Sequence, residues 1–269
     1  MSGAAAAQPA ERKLVVVLVD GLRADTARDY MGYLQAQREA GRAQWRTLSC
    51  ELPSLSRPLY ATVINGRTPL EHGIVSNMQP GLRCGTSIFD ALAAAGRSSC
   101  IAAYHWFYEL LAGEVFDPLR HRHAALPALN VPGAAWYYED EYPDSHLLAD
   151  AEALRQQHAP NLLFVHPMGL DHAGHVHGGE SSAYAMAARK LDMLLALVIP
   201  RWQAAGYDLL LTSDHGMNAD HMHGGSLAVE REVPLVWLPC VPAAPEAVLP
   251  ASQLGLRDFA LTQLLGAPA

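Results

Sequence analysis

The fold is decided by residues 14–21, which read Leu-Val-Val-Val-Leu-Val-Asp-Gly. Six consecutive apolar residues, most of them β-branched, lack the alternation of a half-exposed strand and are typical of a parallel strand that is buried on both faces. The run ends at Asp20-Gly21. Similar apolar runs predict further strands at 98–103, 161–165, 207–212 and 233–238.

Helical patterns alternate with these runs, at 25–41, 57–66, 86–95, 145–158, 180–199 and 257–265. The alternation predicts an α/β fold, in which a doubly wound, mostly parallel central sheet carries helices on both faces. We expect residues 1–12 to be disordered and residues 13–269 to form one domain. The segment 123–143 is rich in proline and aromatic residues and lacks a regular pattern, so it is predicted to be a loop that covers a site.

Composition and charge restrict the class of protein. Of the 269 residues, 50% are hydrophobic and 17% are charged, and the formal net charge is -8. These values exclude a disordered chain and argue against a nucleic-acid polymer or a membrane as partner. No apolar run reaches the roughly 20 residues that a membrane-spanning helix needs, and a signal-peptide pattern is missing. The sequence therefore predicts a cytoplasmic protein and leaves its oligomeric state open.

Histidine is the unusual residue of this chain. There are 13 histidines, and His166, His172, His175, His177, His215, His221 and His223 all fall within 58 positions of the printed sequence, from 166 to 223. Clustered imidazoles predict a metal site. The four cysteines are far apart and form no C-x-x-C pair, so they predict reduced, buried thiols rather than a thiolate zinc site.

Carboxylates and imidazoles follow the ends of three predicted strands. Asp20 follows the first strand, Asp171 and His175 follow the strand at 161–165, and Asp214-His215 follows the strand at 207–212. Because ligands bind beyond the carboxyl ends of parallel strands, we expect these side chains to converge at one edge of the sheet. Asp and His ligands without Cys favour Zn²⁺ or Mn²⁺ at sites with open positions, and they are numerous enough for two ions.

Each of these segments also has a simpler structural interpretation. Asp171 and His175 could be a solvated pair one helical turn apart, and the segment from His221 to Gly225 could be a flexible loop. The pair Asp214-His215 is more specific, because polar residues at the end of a buried strand otherwise need buried partners. Ser56, at the start of a predicted helix, is a candidate nucleophile, but it could be only an N-cap.

Taken together, the segments resemble the alkaline phosphatase superfamily, and they are most similar to its nucleotide pyrophosphatase/phosphodiesterase branch. The resemblance rests on motifs in family order: Val16-Val17-Leu18-Val19-Asp20-Gly21, Pro53-Ser54-Leu55-Ser56-x-Pro58, Gly66-x-x-Pro69-x-x-His72-Gly73-Ile74-Val75-x-Asn77, Asp171-x-x-Gly174-His175 and Ser213-Asp214-His215-Gly216-Met217. It implies a metal-dependent hydrolase that cleaves phosphodiester or pyrophosphate bonds through a seryl-phosphate intermediate.

The resemblance also implies a role for each matched residue. Ser56 is the implied nucleophile, and Asn77 is the implied donor to a phosphoryl oxygen. Two divalent ions are implied, with Zn²⁺ favoured and Mn²⁺ as the alternative. The implied ligands of one ion are Asp20, Ser56, Asp214 and His215, and those of the other are Asp171, His175 and His223, with His221 as a rival for the last position.

Two further residues are predicted to bind substrate, a small phosphate ester. Arg57 stands where that branch usually has Phe, and its side chain is expected to point outward, toward the leaving group or onto an aromatic ring of Trp136-Tyr137-Tyr138. Tyr137 is the second candidate. Two other functions remain open: a phosphomonoesterase, phosphomutase or phosphonate hydrolase on the same metal site, and a non-catalytic metal-binding scaffold.

Overall fold

A seven-stranded sheet forms the centre of the molecule in a computed structural model, which describes residues 11–241 and 247–266. The strand order is β2-β7-β6-β1-β5-β3-β4. The strands are β1 (Lys13–Val19), β2 (Gln44–Ser49), β3 (Ser99–Tyr104), β4 (Gly133–Tyr137), β5 (Leu162–Val165), β6 (Tyr207–Ser213) and β7 (Glu232–Leu238). The predicted α/β class is confirmed, and residues 1–10, predicted to be disordered, lie outside the described residues.

Strand β1 lies at the centre of the sheet and determines where the polar residues meet. It pairs in parallel with β5 on one side and β6 on the other, while β7 runs antiparallel to β6 and to β2. Residues 14–19 are buried, as the apolar run predicts. Val19 pairs with Ser213, so the residues that follow β1 and β6 emerge side by side at one edge of the sheet.

Helices occupy most of the segments between the strands of the described chain. Even α10, with 23 residues, does not combine the length and apolar character needed to span a membrane, and neither does any other described helix. The helices are α1 (Ala24–Tyr30), α2 (Gly32–Glu39), α3 (Ser56–Asn65), α4 (Pro69–His72), α5 (Ile88–Ala94), α6 (His105–Ala112), α7 (Pro118–His121), α8 (Asp144–His158), α9 (Gly169–His177), α10 (Ser182–Ala204), α11 (Ala228–Arg231) and α12 (Leu256–Leu265).

The helix predicted at 25–41 is two helices, α1 and α2, that are separated at Met31. Met31 is fully buried and lies outside helical backbone geometry, at φ −98° and ψ 76°. The carboxylate of Asp192 on α10 accepts hydrogen bonds from the N–H groups of Tyr33 and Leu34, at 2.7 and 3.1 Å. A carboxylate from a distant helix therefore satisfies the N-terminus of α2, which the local sequence does not show.

The prediction of a loop at 123–143 is wrong for its central part, because β4 runs from Gly133 to Tyr137 and pairs in parallel with β3 at the edge of the sheet. Its first three residues, Gly133-Ala134-Ala135, have weak strand propensity. Gly133 lies directly against His158 and Leu154 of α8, where a Cβ atom would come within 2.9 Å of either side chain. Tertiary packing against α8 therefore forms this strand.

Candidate active site

The ends of β1 and β6 bring two carboxylates together in the interior. Asp20 and Asp214 are both fully buried, and Oδ1 of Asp214 accepts a hydrogen bond from the Gly21 N–H at 3.2 Å. Gly21 has φ +68°, and a Cβ atom there would lie 3.0 Å from the Cα of Asp171. The glycine after β1 therefore allows α9 to bring a third carboxylate to the same place.

Ser56 begins helix α3 and points into this group of residues. The N-cap position of α3 is Leu55, which makes no side-chain capping hydrogen bond, so Ser56 is not the N-cap. Its Oγ lies 3.0 Å from Nε2 of His215. The structure therefore places this hydroxyl at the sheet edge, beside the positive end of a helix.

His215 joins the serine to the two carboxylates. Its Nε2 lies 3.4 Å from Oδ1 of Asp20 and 3.1 Å from Oδ2 of Asp214. Its Nδ1 lies 2.9 Å from the carbonyl oxygen of Gly216, which can only accept a hydrogen bond. The hydrogen of a neutral imidazole is therefore on Nδ1, and the lone pair of Nε2 faces Ser56 and the carboxylates.

A second group adjoins the first and consists of Asp171, His175 and His223. Nε2 of His175 lies 3.3 Å from Oδ2 of Asp171, and Nε2 of His223 lies 3.7 Å from Oδ1 of the same carboxylate. The two Nε2 atoms are 3.2 Å apart. Nδ1 of His223 lies 2.8 Å from the Ser54 carbonyl oxygen, so in neutral His223 the lone pair of Nε2 also faces the site.

The two candidate histidines of the 221–225 segment have different positions. His223 lies in the group, and its ring stacks on that of His215 with centroids 3.6 Å apart. His221 is exposed, and its Nδ1 lies 3.0 Å from the carbonyl oxygen of His175, while Nδ1 of His175 lies 2.9 Å from the carbonyl oxygen of His221. The structure therefore brings His223 to the site, and His221 fixes the orientation of His175.

The protein alone does not compensate the buried carboxylates of the site. In the described ranges, Oδ1 of Asp20, Oδ1 of Asp171 and Oδ2 of Asp214 are buried without a hydrogen-bond partner. Burial and the charge of Asp20 raise the pKa of Asp171 and of Asp214, while burial lowers the pKa of His223 to about 4. Buried lone pairs on oxygen and nitrogen that converge without donors fit divalent cations such as Zn²⁺ or Mn²⁺.

The predicted metal ligands fall into two overlapping groups. Ligand atoms of Asp20, Asp214 and His215 all lie within 4.8 Å of one another, and so do those of Asp171, His215 and His223. His175 contacts the second group, and Ser56 contacts the first. All seven predicted ligand residues therefore meet at one place.

Two residues at the site were not assigned a role from the sequence. The hydroxyl of Tyr60 donates a hydrogen bond to Oδ2 of Asp20, and Nε2 of His166 lies 3.4 Å from the same oxygen. Tyr60 lies four residues after Ser56 and so shares its face of α3, and His166 directly follows β5. Both positions could have been noticed from spacing alone. They fix the orientation of Asp20 and direct its Oδ1 toward His215.

The predicted outward orientation of Arg57 is wrong. The residue is 2% exposed, and Nη1 of its guanidinium lies 2.5 Å from Oε2 of Glu109 on α6. The aromatic ring beneath it is Trp106, at 4.5 Å, rather than a ring of the 136–138 segment. Arg57 turns inward because a buried carboxylate on another helix compensates its charge. Asn77 lies beside it, and Oδ1 of Asn77 accepts a hydrogen bond from the Arg57 N–H at 3.0 Å.

The predicted contact of Tyr137 with substrate is also wrong. Tyr137 is 2% exposed, and its hydroxyl donates a hydrogen bond to the carbonyl oxygen of His166 at 2.7 Å. Tyr137 is the last residue of β4, and its ring stacks on that of His166 with centroids 6.4 Å apart. Tyr137 therefore supports His166, which in turn contacts Asp20.

The sequence model of type I phosphodiesterase / nucleotide pyrophosphatase matches residues 14–83 and 88–228. The chain belongs to this family. Human GPI ethanolamine phosphate transferase 2, catalytic subunit, is 23% identical over 86% of this chain. Mouse ectonucleotide pyrophosphatase/phosphodiesterase family member 1 is 25% identical over 74% of it. Each match spans 23% of the relative, so the chain covers only about a quarter of the length of these family relatives.

Solved structures confirm the alkaline-phosphatase fold that the motifs predict. Murine ectonucleotide pyrophosphatase/phosphodiesterase 5 superposes with a TM-score of 0.58 at 20% identity, over 77% of this chain and 58% of that one. The C-terminal periplasmic domain of EcEptC from Escherichia coli superposes with a TM-score of 0.64 at 13% identity, over 95% and 82%.

Proposed function

We propose that this protein is a metal-dependent phosphodiesterase in which Ser56 is the nucleophile. The observation that carries the proposal is the position of the Ser56 Oγ, 3.0 Å from Nε2 of His215 and beside buried carboxylate oxygens that lack protein partners. Its family is named for cleavage of phosphodiesters and of nucleotide pyrophosphates. The same site in a scaffold protein would have no use for a hydroxyl among its ligands.

Seven residues would hold two divalent ions. When bound, the ions would favour the ionised hydroxyl of the nucleophile and neutralise the negative charge of the phosphate. The ligands proposed for one ion are Asp20, Ser56, Asp214 and His215, and those proposed for the other are Asp171, His175 and His223. Carbonyl oxygens of Gly216, His221 and Ser54 orient the three imidazoles, as ligand histidines require.

The reaction proceeds in two displacements at phosphorus. Ser56 Oγ gives up its proton and attacks, an Oγ–P bond forms, and the bond from phosphorus to the leaving oxygen breaks; that oxygen takes up a proton and departs as an alcohol, which leaves a seryl phosphate that still carries the second ester group. Water then attacks this phosphorus, the Oγ–P bond breaks, the phosphate monoester is released, and a proton from the water restores the Ser56 hydroxyl. Asn77 contributes through its Nδ2 group, because its Oδ1 is already engaged by the Arg57 N–H. That amide group would donate to a phosphoryl oxygen.

The charge of the site favours diesters over monoesters. A diester carries one negative charge at phosphorus, and a monoester carries close to two. The charge of Arg57, which follows the nucleophile, is already compensated by Glu109. The arginine therefore adds no net positive charge for a second phosphate charge. A pyrophosphate bond in a nucleotide is the other substrate that the family name suggests.

A second candidate function is phosphate-ester transfer, which differs from hydrolysis only in the molecule that accepts the phosphoryl group. The human relative, matched over 86% of this chain, is named an ethanolamine phosphate transferase. In such an enzyme an alcohol replaces water in the second displacement. Phosphonates are a further substrate class to include in the test, because phosphonoacetate hydrolase from Sinorhizobium meliloti superposes with a TM-score of 0.56 at 18% identity over 77% of this chain and 56% of that one.

The test is a set of rates with purified protein, first stripped with chelator and then loaded with Zn²⁺ or Mn²⁺. The substrates are an aryl phosphodiester, the matching monoester, an aryl sulfate and a phosphonate. We expect activity only in the loaded protein and a kcat/KM for the diester at least tenfold above that for the monoester. Addition of an amino alcohol separates hydrolysis from transfer, since transfer yields a new diester. Full activity in stripped protein, or a preference for the monoester, would overturn the proposal.

A further inference from the structure

A buried ion pair involves the residue that follows the proposed nucleophile. Arg57 follows Ser56 in the first turn of α3, and its Nη1 lies 2.5 Å from Oε2 of Glu109. Both side chains are 3% exposed. The face of the guanidinium lies 4.5 Å from the centre of the Trp106 ring. The charge of Arg57 is thus held in one place, a single residue away from Ser56.

Glu109 accepts hydrogen bonds from several parts of the chain. Its Oε1 accepts from the N–H of Phe116 at 3.1 Å, and its Oε2 accepts from the N–H of Gly81 at 3.4 Å. Nδ1 of His105 lies 3.7 Å from Oε1. Burial alone would raise the pKa of Glu109, but contacts with His105, Arg57 and Phe116 lower it to about 2. The carboxylate is therefore ionised at neutral pH.

The same ion pair determines the orientation of Asn77. Nε of Arg57 donates a hydrogen bond to the carbonyl oxygen of Asn77 at 3.1 Å, and the N–H of Arg57 donates to Oδ1 of Asn77 at 3.0 Å. Glu109 also holds Gly81, four residues further along the same segment. Rotation of the Asn77 amide would replace its acceptor oxygen with a donor facing the Arg57 N–H, so the Nδ2 group is kept facing away.

We infer that Glu109 is a positioning residue that selects singly charged phosphate groups, because it compensates Arg57 and holds Asn77 through it. The inference rests on the proposed function and extends it to substrate choice. With the carboxylate in place, the ion pair presents no net charge to a phosphoryl group at Ser56. Without that carboxylate, Arg57 adds one uncompensated positive charge next to the nucleophile. The site would then favour the doubly charged monoester.

The experiment compares four proteins loaded with the same metal. Glu109→Gln removes the negative charge and keeps the size of the side chain. Arg57→Met with Glu109→Gln removes both charges. Glu152→Gln is the matched control, since Glu152 pairs with Arg155 at 2.8 Å on α8 and does not belong to the site. The measured quantity is the ratio of kcat/KM for an aryl diester to kcat/KM for the matching monoester.

We expect Glu109→Gln to lower this ratio at least tenfold, with the change mainly in the monoester. The double variant should keep the wild-type ratio within threefold, and Glu152→Gln should leave it unchanged. A purely structural role of Glu109 would lower both rates together at a constant ratio. A constant ratio in folded Glu109→Gln, judged by circular dichroism and melting temperature, would overturn the inference.

Binding of inorganic phosphate gives a second readout that needs no turnover. At pH 8 phosphate is mostly doubly charged, and calorimetry on metal-loaded protein should show at least tenfold tighter binding to Glu109→Gln than to wild type.

If Glu109→Gln does not fold, Arg57→Gln gives the opposite test, with phosphate bound at least tenfold more weakly than to wild type. Unchanged phosphate binding to Arg57→Gln would overturn the inference. A wild type with no turnover and no phosphate binding would overturn the proposed function and the inference with it. An active wild type with one fixed ratio in all variants would overturn the inference alone.

Discussion

Two groups of buried charges lie side by side in this molecule and differ in one respect. Asp20 and Asp214 are fully buried, and each has a carboxylate oxygen without a hydrogen-bond donor in the described chain. Arg57 and Glu109 are each 2% exposed, yet they face one another and Glu109 accepts further bonds from backbone N–H groups. The second group is complete within the protein, whereas the first has carboxylate oxygens that no described donor satisfies. An incomplete set of buried charges is therefore the better marker of a functional site.

Consecutive residues of one helix belong to the two groups. Ser56 and Arg57 are the first two residues of α3, and side chains of neighbouring residues on a helix point about 100° apart. Ser56 faces the incomplete group through His215, while Arg57 faces the complete group through Glu109. Two consecutive residues at the start of α3 therefore face two different groups of buried charges.

The largest expected effect comes from Ser56→Ala. Removal of the proposed nucleophile should lower the rate of diester cleavage by about three orders of magnitude or more, on the scale of the losses seen when a catalytic serine is removed. The fold should remain, because the Ser56 hydroxyl makes no capping hydrogen bond in α3. Initial rates and melting temperature of the metal-loaded protein measure the two effects.

Ser87→Ala is the matched control. Ser87 also lies at the start of a helix, but its hydroxyl caps α5 by accepting a hydrogen bond from the Asp90 N–H. Its removal should cost about 0.5–2 kcal/mol of stability and leave the rate unchanged. A near-normal rate in Ser56→Ala would show that the serine is not the nucleophile and that the incomplete group has another purpose.

The next effect concerns stability without metal. In chelator, Asp214→Asn should melt at or above the wild-type temperature, because it removes a carboxylate whose pKa is raised by burial and by Asp20. Glu109→Gln should instead destabilise the protein by about 3–5 kcal/mol, because it leaves Arg57 buried without a counter-charge. Denaturant unfolding curves of both variants give the free energies.

Addition of Zn²⁺ should change the stability ranking of Asp214→Asn relative to wild type, and it should not change the ranking of Glu109→Gln. Wild type should gain stability with metal according to its affinity, and this variant should gain much less because it lacks a ligand. Glu109→Gln should gain as much as wild type, since Glu109 is not among the proposed ligands. Equal losses in the two variants without metal would mean that both groups are structural.

Much of the site follows from the sequence because it depends on strand ends. The run at 14–19, the runs before His166 and Asp214, and the glycine at position 21 are visible in the printed chain. Parallel strands that end in polar residues must place them at one edge, so the convergence of Asp20, Asp171, His175, Asp214 and His215 needs no knowledge of distant packing. The positions of Ser56 and His223 follow only from the family resemblance, and the structure was needed to exclude Ser56 as an N-cap and to separate His223 from His221.

The remaining errors concern contacts between segments far apart in the chain. Glu109 lies 52 positions from Arg57, and nothing in the local sequence shows that a carboxylate on α6 turns the arginine inward. Strand β4 forms because Gly133 allows close packing against α8, although its first three residues have weak strand propensity. The sequence therefore predicts Tyr137 in a loop over the site, whereas Tyr137 lies at the end of β4 and supports His166.

The smallest expected effect is the pH dependence of the complete group, measured as the difference in unfolding free energy between wild type and the double variant Arg57→Met, Glu109→Gln in chelator. The fold lowers the pKa of Glu109 from 4.5 to about 2, so its stabilising contribution is fully present above pH 4.5 and is lost as the pH falls toward 2. Other carboxylates titrate in both proteins and cancel in the difference. Between pH 5 and pH 3 wild type should lose about 2 kcal/mol relative to the variant. A difference that stays constant over this range would mean that Glu109 is not held ionised by Arg57, and the contrast between the two groups of buried charges would no longer hold.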